Sequence, residues 1–259
     1  TAGIASISNA NVALLTATTI SNLSTAQIQA LSSSQFANLT TGDIAALTSA
    51  QYAALTTKQI MGLDATRVLT LFGGTTVSTK ISALPPNALT KLTATNTSSL
   101  TSAQLGALTT AQITGLSTNV LGSLTTTSTG QIKGLTTAQV AALTQAQAKA
   151  LSAAQLGALT TTQTAALSTY AIAALSASAV PSLQVASLTS TQIKSLKADQ
   201  IKLFTASSQI PALTTTQVPN LSADAIKAMT TAQIAALTAT QVATVTASQS
   251  AALSATQLN

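Results

Sequence analysis

Leucine recurs at every eighth residue through most of this 259-residue chain. The first long run begins at Leu15 and continues through Leu71, and around each leucine the repeat reads approximately L-[ST]-[ST]-A-Q-[IV]-A-A, as in residues 135–142. A short fixed period indicates an array of small units, each of which contacts mainly its neighbours. The leucines are therefore predicted core anchors: Leu23, Leu31, Leu39, Leu47, Leu55, Leu135, Leu143, Leu151 and Leu237.

The spacing within a repeat favours helix over strand. Positions 1 (Leu) and 6 (Ile or Val) are five residues apart, which in a strand would place them on opposite faces. Eight residues of continuous helix drift by about 80° per repeat, which excludes a coiled coil. We therefore predict an all-α repeat solenoid of stacked one-turn helices, one per repeat of about eight residues, wound as a superhelix. A β-solenoid with a corner in each repeat is the alternative.

Each repeat also carries its own helix start signal. Ser or Thr at position 2 is placed to cap the helix, and Gln at position 5 lies three residues later, as a capping box requires. We interpret the recurring glutamines mainly as local backbone caps, with an amide ladder between stacked repeats as the alternative. The representative positions are Gln27, Gln35, Gln112, Gln139, Gln233 and Gln241.

The register predicts a single continuous solenoid over residues 1–259, interrupted by irregular insertions near 72–84, 125–131, 180–188 and 204–213. These interruptions fall on Gly, Pro, Ser and Thr, which are turn-forming residues. We interpret them as bulges in the stack. The longest two, Phe72 to Leu84 and Val180 to Leu188, are the best candidates for specificity within the array.

The chemical inventory excludes several functional classes. The chain has no Cys, His, Trp or Glu, and its four Asp residues are isolated, so we predict no catalytic site, no metal site and no cofactor. Ten scattered Lys and Arg residues give a net charge of +6 without a dense basic face, which argues against nucleic-acid binding. No apolar run approaches the ~20 residues needed to span a membrane. We predict that the protein is not an enzyme.

The repeat resembles a known type. Arrays of L-[ST]-[ST]-x-Q-[IV]-x-[AG] occur in large secreted proteins of Gram-negative bacteria that are described as adhesin-like or haem-utilisation exoproteins. The resemblance extends over nearly the whole chain, for example Leu23 to Gln59 and Leu213 to Gln257. It implies an extracellular or cell-surface location.

These observations favour a structural role. The surface is rich in Thr, Ser and Gln and has little charge to keep copies apart. The last repeat, Leu253 to Asn259, stops without a polar cap, so we expect an exposed docking face and a homopolymer built head to tail. The predicted function is a bacterial surface filament, stalk or adhesin shaft. The alternative is an adhesive or ligand-binding module that contacts a glycan, a cell surface, or ice through its threonines.

Overall fold

The computed structural model describes residues 2–72, 81–98 and 100–258. These residues form short helices and contain no β-strand, which confirms the predicted all-α repeat solenoid and not its β alternative. The chain divides into two compact halves, which we call the N-terminal half (Thr1–Leu135) and the C-terminal half (Thr136–Asn259).

The N-terminal half contains α-helices and 3₁₀ helices of three to seven residues. The α-helices are α1 (Ala2–Ala5), α2 (Asn9–Val12), α3 (Ala17–Asn22), α4 (Thr25–Ala30), α5 (Ser33–Ala37), α6 (Thr41–Ala46), α7 (Ser49–Ala53), α8 (Thr57–Met61), α9 (Ala65–Leu71), α10 (Ala94–Thr97), α11 (Ser102–Gly106), α12 (Thr110–Thr114) and α13 (Thr118–Gly122). The 3₁₀ helices are Ile81–Ala83, Pro86–Lys91 and Gln131–Gly134.

The C-terminal half is built in the same way. Its α-helices are α14 (Thr137–Ala141), α15 (Gln145–Ala150), α16 (Ala153–Ala158), α17 (Thr161–Ala166), α18 (Thr169–Ala174), α19 (Ser190–Ser195), α20 (Ala198–Ile201), α21 (Gln209–Ala212), α22 (Ala223–Ala228), α23 (Thr231–Ala235), α24 (Ala239–Val242), α25 (Ala247–Ala252) and α26 (Ala255–Leu258). The 3₁₀ helices are Val180–Ser182, Val185–Ser187 and Val218–Asn220.

Two consecutive extended residues end one helix and begin the next. Leu31 closes α4 with φ −64° and ψ 127°, and Ser32 caps α5 with φ −62° and ψ 162°. The Ser32 hydroxyl accepts a hydrogen bond from the Gln35 backbone N–H, as an N-cap residue does. Because the extended pair turns the chain sharply, the short helices are joined by corners and do not continue one axis.

Three repeats make one coil. In the N-terminal half, α3 packs on α6, α4 on α7 and α5 on α8, so each helix meets the one three repeats later. The same spacing recurs in the C-terminal half, where α15 packs on α18, α22 on α25 and α23 on α26. A coil therefore has three sides. Since a five- or six-residue helix is unstable alone, packing between coils must supply the stability of each one.

The insertions keep this packing. Pro181 lies in the first of two 3₁₀ helices, Val180–Ser182 and Val185–Ser187, which pack on α16 and α17 respectively. The segment 125–130 joins α13 to the 3₁₀ helix Gln131–Gly134, which packs on α11, and the segment near 204–213 contains α21. Residues 73–80 of the first insertion lie outside the described residues. No helix in the described part of the chain is long and apolar enough to cross a membrane.

Candidate functional site

The fifth position of the repeat joins one coil to the coil before it. The Gln112 side chain is fully buried, and its Oε1 accepts a hydrogen bond from the Thr109 N–H at 2.8 Å. Its Nε2 donates to the carbonyl oxygens of Ile81 and Leu84, at 2.8 and 2.7 Å, in the preceding coil. One amide thus caps its own helix and binds the neighbouring coil. The local cap and the ladder between repeats, which the sequence left as alternatives, are present in the same side chain.

The same arrangement recurs along both halves. In the N-terminal half, Nε2 atoms donate to carbonyls 28 to 34 residues earlier, from Gln35, Gln51, Gln59, Gln104 and Gln131. In the C-terminal half the donors are Gln192, Gln200, Gln209, Gln217, Gln233, Gln241, Gln249 and Gln257. We call this set of contacts the glutamine ladder. Because buried amides need partners, the ladder fixes the register of successive coils.

All six representative glutamines complete a capping box at the start of their helices: Gln27, Gln35, Gln112, Gln139, Gln233 and Gln241. The Nε2 atoms of Gln35, Gln233 and Gln241 donate to Ile7, Phe204 and Leu213. Gln27 is half-buried, and its Nε2 has no hydrogen-bond partner among the described residues.

Most of the predicted core anchors are buried. The buried ones are Leu31, Leu39, Leu47, Leu55, Leu135, Leu143 and Leu151. Leu23 and Leu237 are only half-buried. They belong to the outermost coils among the described residues, where a neighbouring coil covers one side and not the other.

Two other side chains occupy ladder positions. Arg67 Nε donates to the Leu39 carbonyl at 2.8 Å, so its guanidinium replaces the glutamine amide. Arg67 also pairs with the Asp64 carboxylate, and the hydrogen bond from the Arg67 backbone N–H lowers the pKa of Asp64. Asp43 keeps only the cap, because its Oδ2 accepts from the Thr40 N–H at 2.9 Å and the shorter carboxylate has no proton to donate onward.

An apolar groove of about 490 Å³ lies at the far end of the C-terminal half. We call it the terminal groove, and it is lined by Ile226, Ile234, Leu237, Val242, Val245, Ser250, Leu253 and Leu258. Ile234 and Leu237 stand at the same repeat positions as Ile81 and Leu84. The carbonyls of Ile81 and Leu84 accept hydrogen bonds from Gln112 in the following coil. The Ile234 carbonyl accepts from the Leu237 N–H, and among the described residues no glutamine donates to either carbonyl.

A second concave surface, more polar, lies on the flank of the C-terminal half. It has a volume of about 510 Å³ and includes Lys149, Lys197 and Asp199. From the sequence, Asp199 and its neighbouring lysines indicate only a solvated surface pair. Lys149 lies 48 residues before Lys197, and only the stacking of coils brings the two onto one surface. The available sequence signal is that each of these residues departs from the repeat pattern.

A family model described as the ALTTAQ repeat matches residues 210–247, within the C-terminal half. The match agrees with the octapeptide period and supports a repeat protein. No curated protein and no solved structure matches the chain.

Proposed function

We propose that this protein is a structural component of a bacterial surface filament, stalk or adhesin shaft, which extends by head-to-tail association of identical chains. The observation that carries the proposal is the terminal groove. It offers to a further coil the kind of surface that the inner coils present to one another.

The exposure of equivalent residues supports this comparison. Val218 and Leu221 lie one coil before Val242 and Val245, and both are buried under the coil that carries Gln249. Val242 is 54% exposed, and Leu258 in the last helix is 67% exposed. Because burying apolar surface contributes about 25 cal/mol per Å², a further coil on the terminal groove would be strongly favoured.

The polarity of the ladder supports head-to-tail contact. The terminal groove offers carbonyl acceptors at Ile234 and Leu237, while the first coils offer the Gln27 amide as a donor. Two terminal grooves placed face to face would oppose acceptor to acceptor. A contact between unlike ends repeats without closing into a ring of two, and it therefore generates a fibre.

The extracellular location rests on other support. The octapeptide resembles the repeats of secreted exoproteins, and the low charge of the chain suits a surface that packs against copies of itself. Labelling of intact cells of the source organism with an antibody against this chain tests the location. Signal that requires cell lysis would contradict it.

The test of assembly is sedimentation velocity with negative-stain electron microscopy over a range of concentrations. We expect filaments of the 259-residue chain whose length increases with concentration. Val242→Asp places a charge at an exposed position of the terminal groove and should abolish them. Met61→Asp, at an exposed apolar position in α8, is the matched control and should leave them unchanged. Short rods of constant length at every concentration, or filaments of Val242→Asp, would overturn the proposal.

A further inference from the structure

We propose that the flank of the C-terminal half contains a binding site for an acidic carbohydrate. The site, which we call the lysine groove, is the concave surface of about 510 Å³ lined by residues of α15, α18 and α20. Its polar residues include Gln145, Lys149, Lys197 and Asp199, and Leu203 lies at its edge. The volume is within the range of about 300–1,000 Å³ that is typical of small-molecule sites.

The lysine groove brings charged side chains from separate repeats onto one surface. Only 5% of the chain is charged, yet this groove is lined by three charged side chains. Lys149 stands at position 7 of its repeat, where Lys194, Lys202 and Lys227 also stand. Asp199 stands at position 4, where Asp224 also stands, and the consensus residue at both positions is Ala. Leu203, at position 8, also replaces Ala and is 38% exposed. The repeat pattern by itself requires none of these residues.

Lys197 is unfavourable for the local structure. It occupies position 2, where Ser or Thr normally caps the helix, and α20 consequently has no side-chain hydroxyl cap. The Gln200 Oε1 still accepts from the Lys197 N–H at 3.0 Å, so half of the capping box remains. A positive charge at a helix N-terminus is also disfavoured by the helix dipole. A residue that breaks a local rule in this way is typical of a functional site.

The chemistry of the groove fits a sugar that carries a carboxylate. The ammonium groups of Lys149 and Lys197 can bind the carboxylate, while Asp199 and Gln145 can accept and donate hydrogen bonds with hydroxyls. Asp199 repels any nearby anion, but it is a good acceptor for the hydroxyls of a sugar, which inorganic sulfate does not have. Tyr170 is 72% exposed and precedes the groove residues Ala173 and Ala174 by one helical turn.

The proposal is tested by isothermal titration with a tetrasaccharide of galacturonic acid, neutral maltotetraose and inorganic sulfate as probes. We use the Val242→Asp chain, so that assembly into filaments does not affect the result. We expect galacturonate to bind about tenfold or more tightly than maltotetraose. Equal affinity for the two sugars, or no binding of galacturonate, would overturn the proposal. Failure here leaves the filament proposal intact, because the two surfaces and the two measurements are different.

Substitutions distinguish a specific binding site in the lysine groove from a general attraction of anions to a basic protein. Lys149→Ala and Lys197→Thr both restore the repeat pattern, so the chain should remain folded, and each should weaken galacturonate binding about tenfold. Thermal unfolding checks that both variants remain folded. Lys197→Thr should raise the melting temperature, because it restores a hydroxyl cap to α20. Lys227→Ala is the matched control, because Lys227 is exposed on α22 and does not line the groove. An equal loss of affinity in Lys227→Ala would overturn the proposal.

Asp199→Ala provides a second readout. Removal of the carboxylate should weaken galacturonate binding, because a hydroxyl acceptor is lost, and should strengthen sulfate binding, because a repulsive charge is lost. Tighter binding of both anions would show that Asp199 does not bind hydroxyls, and it would contradict the assignment of a carbohydrate.

Discussion

A glutamine at the fifth position serves both its own helix and the coil before it, because its amide carries an acceptor and a donor. A carboxylate can perform only the first task. Asp43 shows this, since it is buried and caps Thr40 but donates nothing to the preceding coil. The requirement for a donor is consistent with a chain that is rich in Gln and contains no Glu.

Gln112→Glu should therefore be strongly destabilising. The carboxylate would keep the cap on Thr109 but would face the carbonyl oxygens of Ile81 and Leu84 without a proton to donate. We expect a loss of about 3 kcal/mol in the free energy of unfolding at pH 7 by urea denaturation. The cost should decrease as the pH falls toward about 4 and be smallest below it, because burial raises the pKa of the new carboxyl above its ordinary value of about 4.3 and the protonated form can donate. Gln27 donates no hydrogen bond to carbonyls of another coil in the described part of the chain, so Gln27→Glu should cost much less. A loss of comparable size in Gln27→Glu would contradict the role of the donated hydrogen bonds.

Two threonines replace the apolar residue at position 6 and differ in one hydrogen bond. Both are fully buried, but the Thr97 hydroxyl donates to the Thr93 carbonyl at 2.6 Å, whereas the Thr164 hydroxyl has no partner among the described residues. Thr164→Val should raise the free energy of unfolding by about 1 kcal/mol, because it removes a buried unpaired hydroxyl. Thr97→Val should not raise it. Equal effects of the two substitutions in urea titrations would refute the argument.

Tyr52 gives the stability a dependence on alkaline pH. It is buried in the N-terminal half, and burial raises its pKa to about 12. Between about pH 10 and 12 the unfolded chain loses this proton while the folded chain keeps it, so rising pH favours unfolding. The free energy of unfolding should decrease by up to about 2–3 kcal/mol across this window. Tyr52→Phe should remove that part of the decrease, and an unchanged slope would contradict the burial argument.

At the scale of helices, the distance between coils is set by small residues. A Cβ added at Gly134 would overlap the Ser102 carbonyl of α11, and one added at Gly106 would lie 2.7 Å from the Gly134 carbonyl oxygen. By contrast, the nearest atom to a Cβ at Gly157 is the Ser182 Cβ, at an ordinary 3.6 Å. The pair of helices formed by α11 and Gln131–Gly134 is thus packed backbone to backbone.

Gly134→Ala should consequently lower the free energy of unfolding by about 2 kcal/mol or more, because backbone must move to make room. Gly157→Ala, in the last turn of α16, should raise it by up to about 1 kcal/mol, because alanine has the higher helix propensity. Thermal and urea unfolding of the two variants measure whether each substitution lowers or raises the free energy of unfolding. If Gly134→Ala is as stable as the wild type, the close approach of these helices is wrong.

At the scale of the whole molecule, a solenoid should tolerate the loss of one coil but not the loss of its register. Deletion of residues 222–245 removes three repeats of the C-terminal half and joins Leu221 to Thr246. Gln249 would then lie three repeats after α20, where it can donate to the carbonyls of Ile193 and Leu196. Far-ultraviolet circular dichroism should show unchanged helix content per residue, with a smaller urea m-value.

Deletion of residues 222–225 is the matched control for that experiment. It removes fewer residues, but it places the downstream glutamines four positions out of step with the carbonyls that they bind, such as Gln249 with Val218. We expect lower helix content and loss of amide exchange protection in α23 to α26. A shorter deletion that is better tolerated than the longer one would contradict the role of the glutamine ladder.

The eight-residue period and the capping residues determine the local structure from the sequence alone. Leu, Ser or Thr, and Gln recur at separations that specify a short capped helix and a corner, because these signals act between residues three or four positions apart. The anchors Leu31 and Leu151 are buried in positions that this pattern predicts. The outermost anchors Leu23 and Leu237 depend on how many coils cover them, which the local pattern does not contain.

Only the tertiary structure decides which repeats meet. The angle through which each corner turns the chain sets three repeats per coil, and that angle is a property of packed helices and not of any single octapeptide. It places the Gln112 amide against carbonyls about 30 residues earlier, and it brings Lys149 beside Lys197 on one surface. Contacts of this kind join residues far apart in sequence, so the stack of coils defines both the glutamine ladder and the lysine groove.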